Sequence, residues 1–206
     1  MLRQEAQQGI RRVVATPHFY PRYETPESFL QKRDRAEAAL RAAVKGLDLP
    51  QIYTGAEVYF FRGISESELL PRLTIRGKQC ILIEMPPAPW PEAIYQELDA
   101  VWRRRGITPV IAHVDRYIAP FHTCGIPERL QQLPVLVQAN ASFFLENRTR
   151  RMALKMLRAD QIQLLGSDCH NLDSRAPRLG EAVELIRKHL GEGPLERIRT
   201  YQEEVL

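Results

Sequence analysis

Cysteine is scarce in this chain. Cys80, Cys124 and Cys169 are the only three in 206 residues, and an odd number at unrelated spacings excludes a disulfide framework and a four-thiolate zinc site. Long apolar runs are missing as well. None approaches the roughly 18 residues of a membrane span, and the opening Met1-Leu2-Arg3-Gln4-Glu5 lacks the pattern of a secretory leader. No repeat, linker or low-complexity tract interrupts the sequence. Neither sign of charge dominates: 29 Lys and Arg against 25 Asp and Glu leave +4, which steers anionic partners inward without implying nucleic acid. The densest basic run, Arg103 to Arg105, falls at the end of an amphipathic segment just before Gly106, where cations meet a helix C-terminus. These absences point to a reduced, cytoplasmic protein with no membrane insertion. With 44% hydrophobic residues over this length, the expectation is one domain spanning residues 1–206 around one core.

What is present alternates. Short aliphatic or β-branched runs at Arg12 to Ala15, Gln51 to Gly55, Cys80 to Ile83, Pro109 to Ala112, Val135 to Gln138 and Ile162 to Gly166 are separated by segments of helical period. Thr25-Pro26-Glu27-Ser28 reads as an N-cap followed by proline at the first helical position, opening a helix that stops at Gly46. Helices are expected at Pro91 to Arg105, Asn147 to Ala159, Leu179 to Leu190 and Leu195 to Val205. Consecutive apolar residues, as in Ile81-Leu82-Ile83, fit strands buried on both faces of a parallel sheet, so the fold class is α/β, a barrel or an open sheet.

The strand ends carry the chemistry. Ala-Thr-Pro-His18, Thr-Gly-Ala-Glu57, Leu-Ile-Glu84, Ile-Ala-His113, Gln-Ala-Asn140 and Gly-Ser-Asp168-Cys-His170 each leave a polar group at a C-terminal tip, the face where (β/α) barrels gather their active sites. One such histidine commonly just bonds to backbone, but a series of carboxylates and imidazoles on one face repels or desolvates itself unless cations neutralise it. Mixed His and Asp/Glu donors suit zinc, manganese or iron better than calcium. Clustered divalent ions acidify water and clamp phosphoryl oxygens, so phosphoester hydrolysis is the natural chemistry. Arg116 follows His113, and Arg175 follows His170, at distances that let two guanidiniums hold the phosphate. The plainer alternative pairs them with Asp115 and Asp173.

The ordered series Ala-Thr-Pro-His18-Phe-Tyr, Gly-Ala-Glu57-Val, Ile-Glu84-Met-Pro, Ile-Ala-His113-Val-Asp-Arg116, Gln-Ala-Asn140-Ala and Gly-Ser-Asp168-Cys-His170-Asn resembles the polymerase-and-histidinol-phosphatase (PHP) superfamily. Within it, the likeness is to manganese-dependent protein-tyrosine phosphatases of capsule and exopolysaccharide operons, and it spans nearly the whole chain. The resemblance implies a distorted (β/α)7 barrel with a trinuclear site whose activated hydroxide attacks the phosphorus of phosphotyrosine. The implied partner is the phosphorylated tail of a bacterial polysaccharide-assembly tyrosine kinase. Carried across, Glu57 would bridge two metals, Glu84 and His113 would complete the second, Asp168 would serve the first, and His18 with His170 the third. Arg116 and Arg175 would hold the phosphate.

One family feature has no counterpart: the first strand ending in Asp-x-His-x-His, with a further acid after it, does not precede His18. Leu2 to Gln8 reads as the tail of the helix that follows that strand. The expectation is therefore an N-terminally truncated, incomplete barrel with weak metal loading and exposed edges at Arg12 to Ala15 and Ile162 to Leu165.

Rival readings are an inactive phosphopeptide-binding module, a histidinol-phosphatase-like hydrolase of small phosphoesters, and a thiolate phosphatase suggested by the Cys-x5-Arg spacing of Cys169 and Arg175. In the last, Leu172 and Asp173 would occupy a cradle that needs small residues. Tyr20 and Trp90, on loops near the ligand tips, are candidates to stack on a phosphotyrosine ring. Cys80, Cys124, His122 and His189 are expected to be structural or incidental.

Overall fold

The computed structural model describes residues 1–118 and 125–205, so His122 and Cys124 lie outside the described residues. The chain runs from α1 (Leu2–Gln7) into β1 (Arg12–Ala15) and β2 (His18–Phe19), then α2 (Pro26–Ala43), β3 (Gln51–Thr54) and β4 (Glu57–Tyr59). A short 3-10 turn (Ile64–Glu66) and α3 (Leu70–Leu73) lead to β5 (Cys80–Glu84), α4 (Glu92–Arg105) and β6 (Thr108–Ile111). After α5 (Asp115–Ile118) and α6 (Ile126–Leu130) come β7 (Leu136–Asn140), α7 (Ala141–Leu145), α8 (Arg150–Arg158), β8 (Leu164–Gly166), α9 (Leu179–Leu190) and α10 (Gly193–Val205). Thr25 caps α2 as its spacing predicts, its side chain accepting the Ser28 N–H at 3.2 Å.

Among the described residues every strand pairing is parallel, in the order β2-β4-β5-β6-β7-β8, with β1 beside β3. The β1–β3 and β2–β4 ladders are one ladder with an interruption, because the register Ala15↔Thr54 resumes as His18↔Glu57. The break follows from local chemistry. Pro17 has no N–H to donate, and Gly55 passes so close to Ile75 that a Cβ there would lie 3.2 Å from the Ile75 Cα. His18 and Glu57 therefore begin new short strands rather than ending long ones, which the apolar pattern does not reveal.

The sheet curls into a half-barrel whose edges, among the described residues, are β1 with β2 on one side and β8 on the other. One face carries Ile81, Ile83, Ile111 and Val137 against α4, α7, α8 and α9 in the main core. Cys80, Leu82, Val110, Leu136 and Leu164 turn the other way, where Tyr201 and Val205 of α10 close a smaller cluster. Burial pushes the Cys80 thiol up to about 11, as suits an inert core residue. The two edges are tied by side chains: Gln8, just after α1, donates to the Pro177 carbonyl at 2.7 Å and accepts from the Gly180 N–H at 2.8 Å. Arg12 pairs with Glu203 at 2.6 Å. The Arg103 to Arg105 run is spent on Asp99, Glu66, Glu68 and the Ser65 carbonyl. Among the described residues no helix is long and apolar enough to cross a membrane.

Gly166 supports the site from behind. A Cβ at this position would fall 2.2 Å from Nε2 of Gln138, whose Oε1 accepts the His113 N–H at 2.6 Å and whose amide donates to Asn140 Oδ1 at 3.1 Å. Gly166→Ala must evict that amide, at a cost of about 1–3 kcal/mol. Urea unfolding is expected to show this loss in the native background and a much smaller one when Gln138 is already alanine. Equal losses in both backgrounds would contradict the contact.

Candidate metal centre

The loops and strand ends at one mouth of the half-barrel hold all eight residues singled out from the sequence. Glu57 opens β4, Glu84 ends β5, His113 follows β6, and Asp168 and His170 follow β8. His113 and Asp168 have positive φ, +33° and +49°. Non-glycine residues in that region are strained and are held there by their surroundings. Gln138 supplies part of the hold by binding the His113 N–H. Asn140 continues it, donating from Nδ2 to Asp168 Oδ2 at 3.2 Å while its own N–H is capped by Asp115 Oδ1 at 3.0 Å. Burial raises the Asp115 carboxyl above its ordinary range.

Two histidines flank the pair of glutamates. His113 Nε2 lies 2.9 Å from Glu57 Oε1 and 3.8 Å from Glu84 Oε1. Its Nδ1 meets the Tyr117 hydroxyl at 3.1 Å, and that hydroxyl accepts the Met85 N–H at 2.8 Å, so the ring is fixed from both ends. Burial pushes the Tyr117 hydroxyl far above the usual phenol range, keeping it protonated. On the other side, His18 Nδ1 is 3.5 Å from Glu57 Oε1 and 3.8 Å from Glu84 Oε2, yet it is buried and makes no hydrogen bond. His18, Glu57 and Glu84 offer ligand atoms all within 4.8 Å of one another. An unpaired buried imidazole nitrogen between two carboxylates is what a divalent cation fits. This grouping differs from the carried-over partition, which set His18 with His170; their ring centroids are 6.0 Å apart.

The arginines do not pair with Asp115 and Asp173. Both converge on Asp168 Oδ2, Arg116 at 2.6 Å and Arg175 at 2.5 Å, and Arg116 also stands 3.6 Å from Glu84. Protein cations thus already balance part of the carboxylate charge. His170 is more peripheral, its Nδ1 3.7 Å from Asp168 Oδ1.

The thiolate reading fails on geometry. Cys169 Sγ faces Glu5 of α1 at 3.7 Å, and burial raises its thiol. The loop N–H groups of His170, Asp173 and Arg175 are taken by the Arg175 carbonyl and Asn171 Oδ1, leaving none of the three to cradle an anion. Trp90 is likewise no substrate platform. It is 8% exposed, packed against Tyr95 and Tyr117, with its indole N–H on the Pro86 carbonyl. Tyr20 does sit at the mouth, stacked on His18 with centroids 5.5 Å apart and donating to Glu84 Oε2 at 3.2 Å. Burial and the neighbouring Glu84 push its hydroxyl up to about 12.

Sequence reasoning passed over Gln138 and Tyr117 as supports. Each leaves a trace: Gln138 is a polar residue in the run Val-Leu-Val-Gln-Ala-Asn, and Tyr117 follows His113 by four positions, one helical turn.

Similarity to known proteins extends over nearly the whole chain. The family model for capsular polysaccharide synthesis proteins CpsB/CapC matches residues 1–206. The tyrosine-protein phosphatase CpsB of Streptococcus pneumoniae is 30% identical over 206 residues, covering 93% of this chain and 82% of that protein. CpsB of Streptococcus agalactiae is 28% identical over 201 residues with the same coverage, and YwqE of Bacillus subtilis, also named a tyrosine-protein phosphatase, is 27% identical over 206 residues. A solved chain from the crystal structures of YwqE and CpsB, described as unique metal-dependent tyrosine phosphatases, superposes with a TM-score of 0.80 at 21% identity, covering 100% of this chain and 86% of that one. That superposition establishes the fold as the α/β half-barrel. By sequence, the chain belongs to the CpsB/CapC family of capsular polysaccharide synthesis proteins.

Proposed function

We propose that this chain is a metal-dependent phosphotyrosine phosphatase that acts on the tail of a polysaccharide-assembly tyrosine kinase in the cytoplasm and so regulates capsule or exopolysaccharide synthesis. The observation that carries the reading is the His18 nitrogen held without a hydrogen bond between Glu57 and Glu84, with two guanidiniums on Asp168 beside it. The names of the CpsB and YwqE relatives support the substrate class.

His18, Glu57, Glu84 and His113 would hold the ions, with Asp168 and His170 at the outer side; mixed nitrogen and carboxylate donors suit manganese, iron or zinc alike, and the family resemblance favours manganese. Divalent cations bound there would supply the charge that acidifies a water nucleophile and neutralises phosphoryl oxygen. The chain does the rest. Arg116 and Arg175 are 41% and 39% exposed, so each can leave Asp168 for a phosphate dianion, which offers a stronger, two-oxygen match to a guanidinium. The buried His113 and Glu57 stay in place while the arginines move.

Purified protein stripped of metal is expected to release no phosphate from a phosphotyrosine peptide and to recover activity with manganese. Arg116→Ala and Arg175→Ala should each lower kcat/KM by about a hundredfold. Activity that survives chelation would refute the metal dependence, and peptide binding without turnover at saturating manganese would refute the enzymatic reading. Cys169→Ser should retain full activity, and its inactivation would restore the thiolate mechanism. Tyr117→Phe should leave the fold intact but weaken manganese binding about ten- to hundredfold in calorimetry, because His113 loses the contact that aims it.

A further inference from the structure

A ladder of rings climbs from the ligand cluster to solvent. Tyr59 is in register with Glu84 across β4 and β5. Its ring lies 5.7 Å from that of Tyr20, whose hydroxyl touches Glu84. Tyr20 in turn meets Tyr23 edge-on at 6.3 Å, and the Tyr23 N–H is pinned to the Tyr20 carbonyl at 2.9 Å. Tyr20 is spent: His18 stacks on it and Tyr59 tilts against it. Tyr23 is not. It is 79% exposed, an aromatic ring left largely in water at the rim of a site read as a phosphoester site.

We propose that Tyr23 is the specificity-determining platform on which the phenyl ring of phosphotyrosine rests, the inner rings of Tyr20 and Tyr59 serving to aim it. Resting on the phosphatase reading above, the assignment predicts selection of aryl over alkyl phosphates. Phosphate held by Arg116 and Arg175 directs an ester's organic group outward. An aryl group leaving the mouth along the ladder meets the Tyr23 ring, whereas the short side chain of phosphoserine has no π-face to offer. Offset or edge contact between two rings adds to simple burial. Trp90, the other aromatic candidate, is enclosed in the core and leaves this role to the tyrosines.

The test compares dissociation constants of the manganese-loaded protein for a phosphotyrosine peptide and a phosphoserine peptide of the same flanking sequence, by stopped-flow fluorescence anisotropy ahead of turnover. Tyr23→Ala is expected to weaken the phosphotyrosine peptide about three- to tenfold relative to the phosphoserine peptide, and Tyr23→Phe to restore the difference. A ratio unmoved by Tyr23→Ala, a failure of Tyr23→Phe to restore it, or a native protein that binds neither peptide would overturn the assignment. Binding that depends on Tyr23 without any turnover would support it while refuting the phosphatase reading.

Discussion

Three carboxylates face one another across the mouth of this half-barrel, and the organisation of the surrounding residues answers their mutual repulsion. Glu57 and Glu84 lie between two imidazoles, and Asp168 between two guanidiniums. Two arginine charges against three acids leave about one negative charge. Buried like charges are tolerated only with such compensation. The arrangement has a functional corollary: the cations that quiet Asp168 are the ones best suited to grip a phosphoryl group, and the half-exposed position of both lets them serve in turn.

Fixing those charges requires strain, and the strain is borne by a short polar chain of residues. His113 and Asp168 hold backbone angles that side chains resist, and Gln138 and Asn140 span the distance between them. The absence of a side chain on Gly166 is what lets Gln138 lie across β8. A single methyl group in the wrong strand therefore reaches the site through the amide it displaces rather than by touching a ligand.

Much of this was legible in the sequence. Consecutive apolar residues gave the parallel strands, because a strand buried on both faces leaves no polar alternation, and Thr25-Pro26 marked the start of α2 through its capping chemistry. The residues at the strand ends stood out because carboxylates after aliphatic runs are costly without a use. The interruptions at Pro17 and Gly55 were not legible, since His18 and Glu57 look like terminal residues of the strands before them. Nor was the choice made by the arginines. Asp115 and Asp173 are nearer in sequence, but Asp115 caps the Asn140 amide, and Asp168 gathers both guanidiniums because the loop after β8 brings it into their reach. Trp90 was misplaced for a similar reason: a loop position says nothing about which way a ring turns.

The side-chain ties across the open seam of the sheet bear on how the chain acquires its shape. Gln8 reaches Gly180 over 172 positions, and Arg12 reaches Glu203 over 191. Contacts between such remote stretches close very large loops before they return any stabilisation. The seam, and with it the finished rim of the site, therefore depends on the two ends of the chain meeting, at a greater loop-closure cost than any pairing of neighbouring strands.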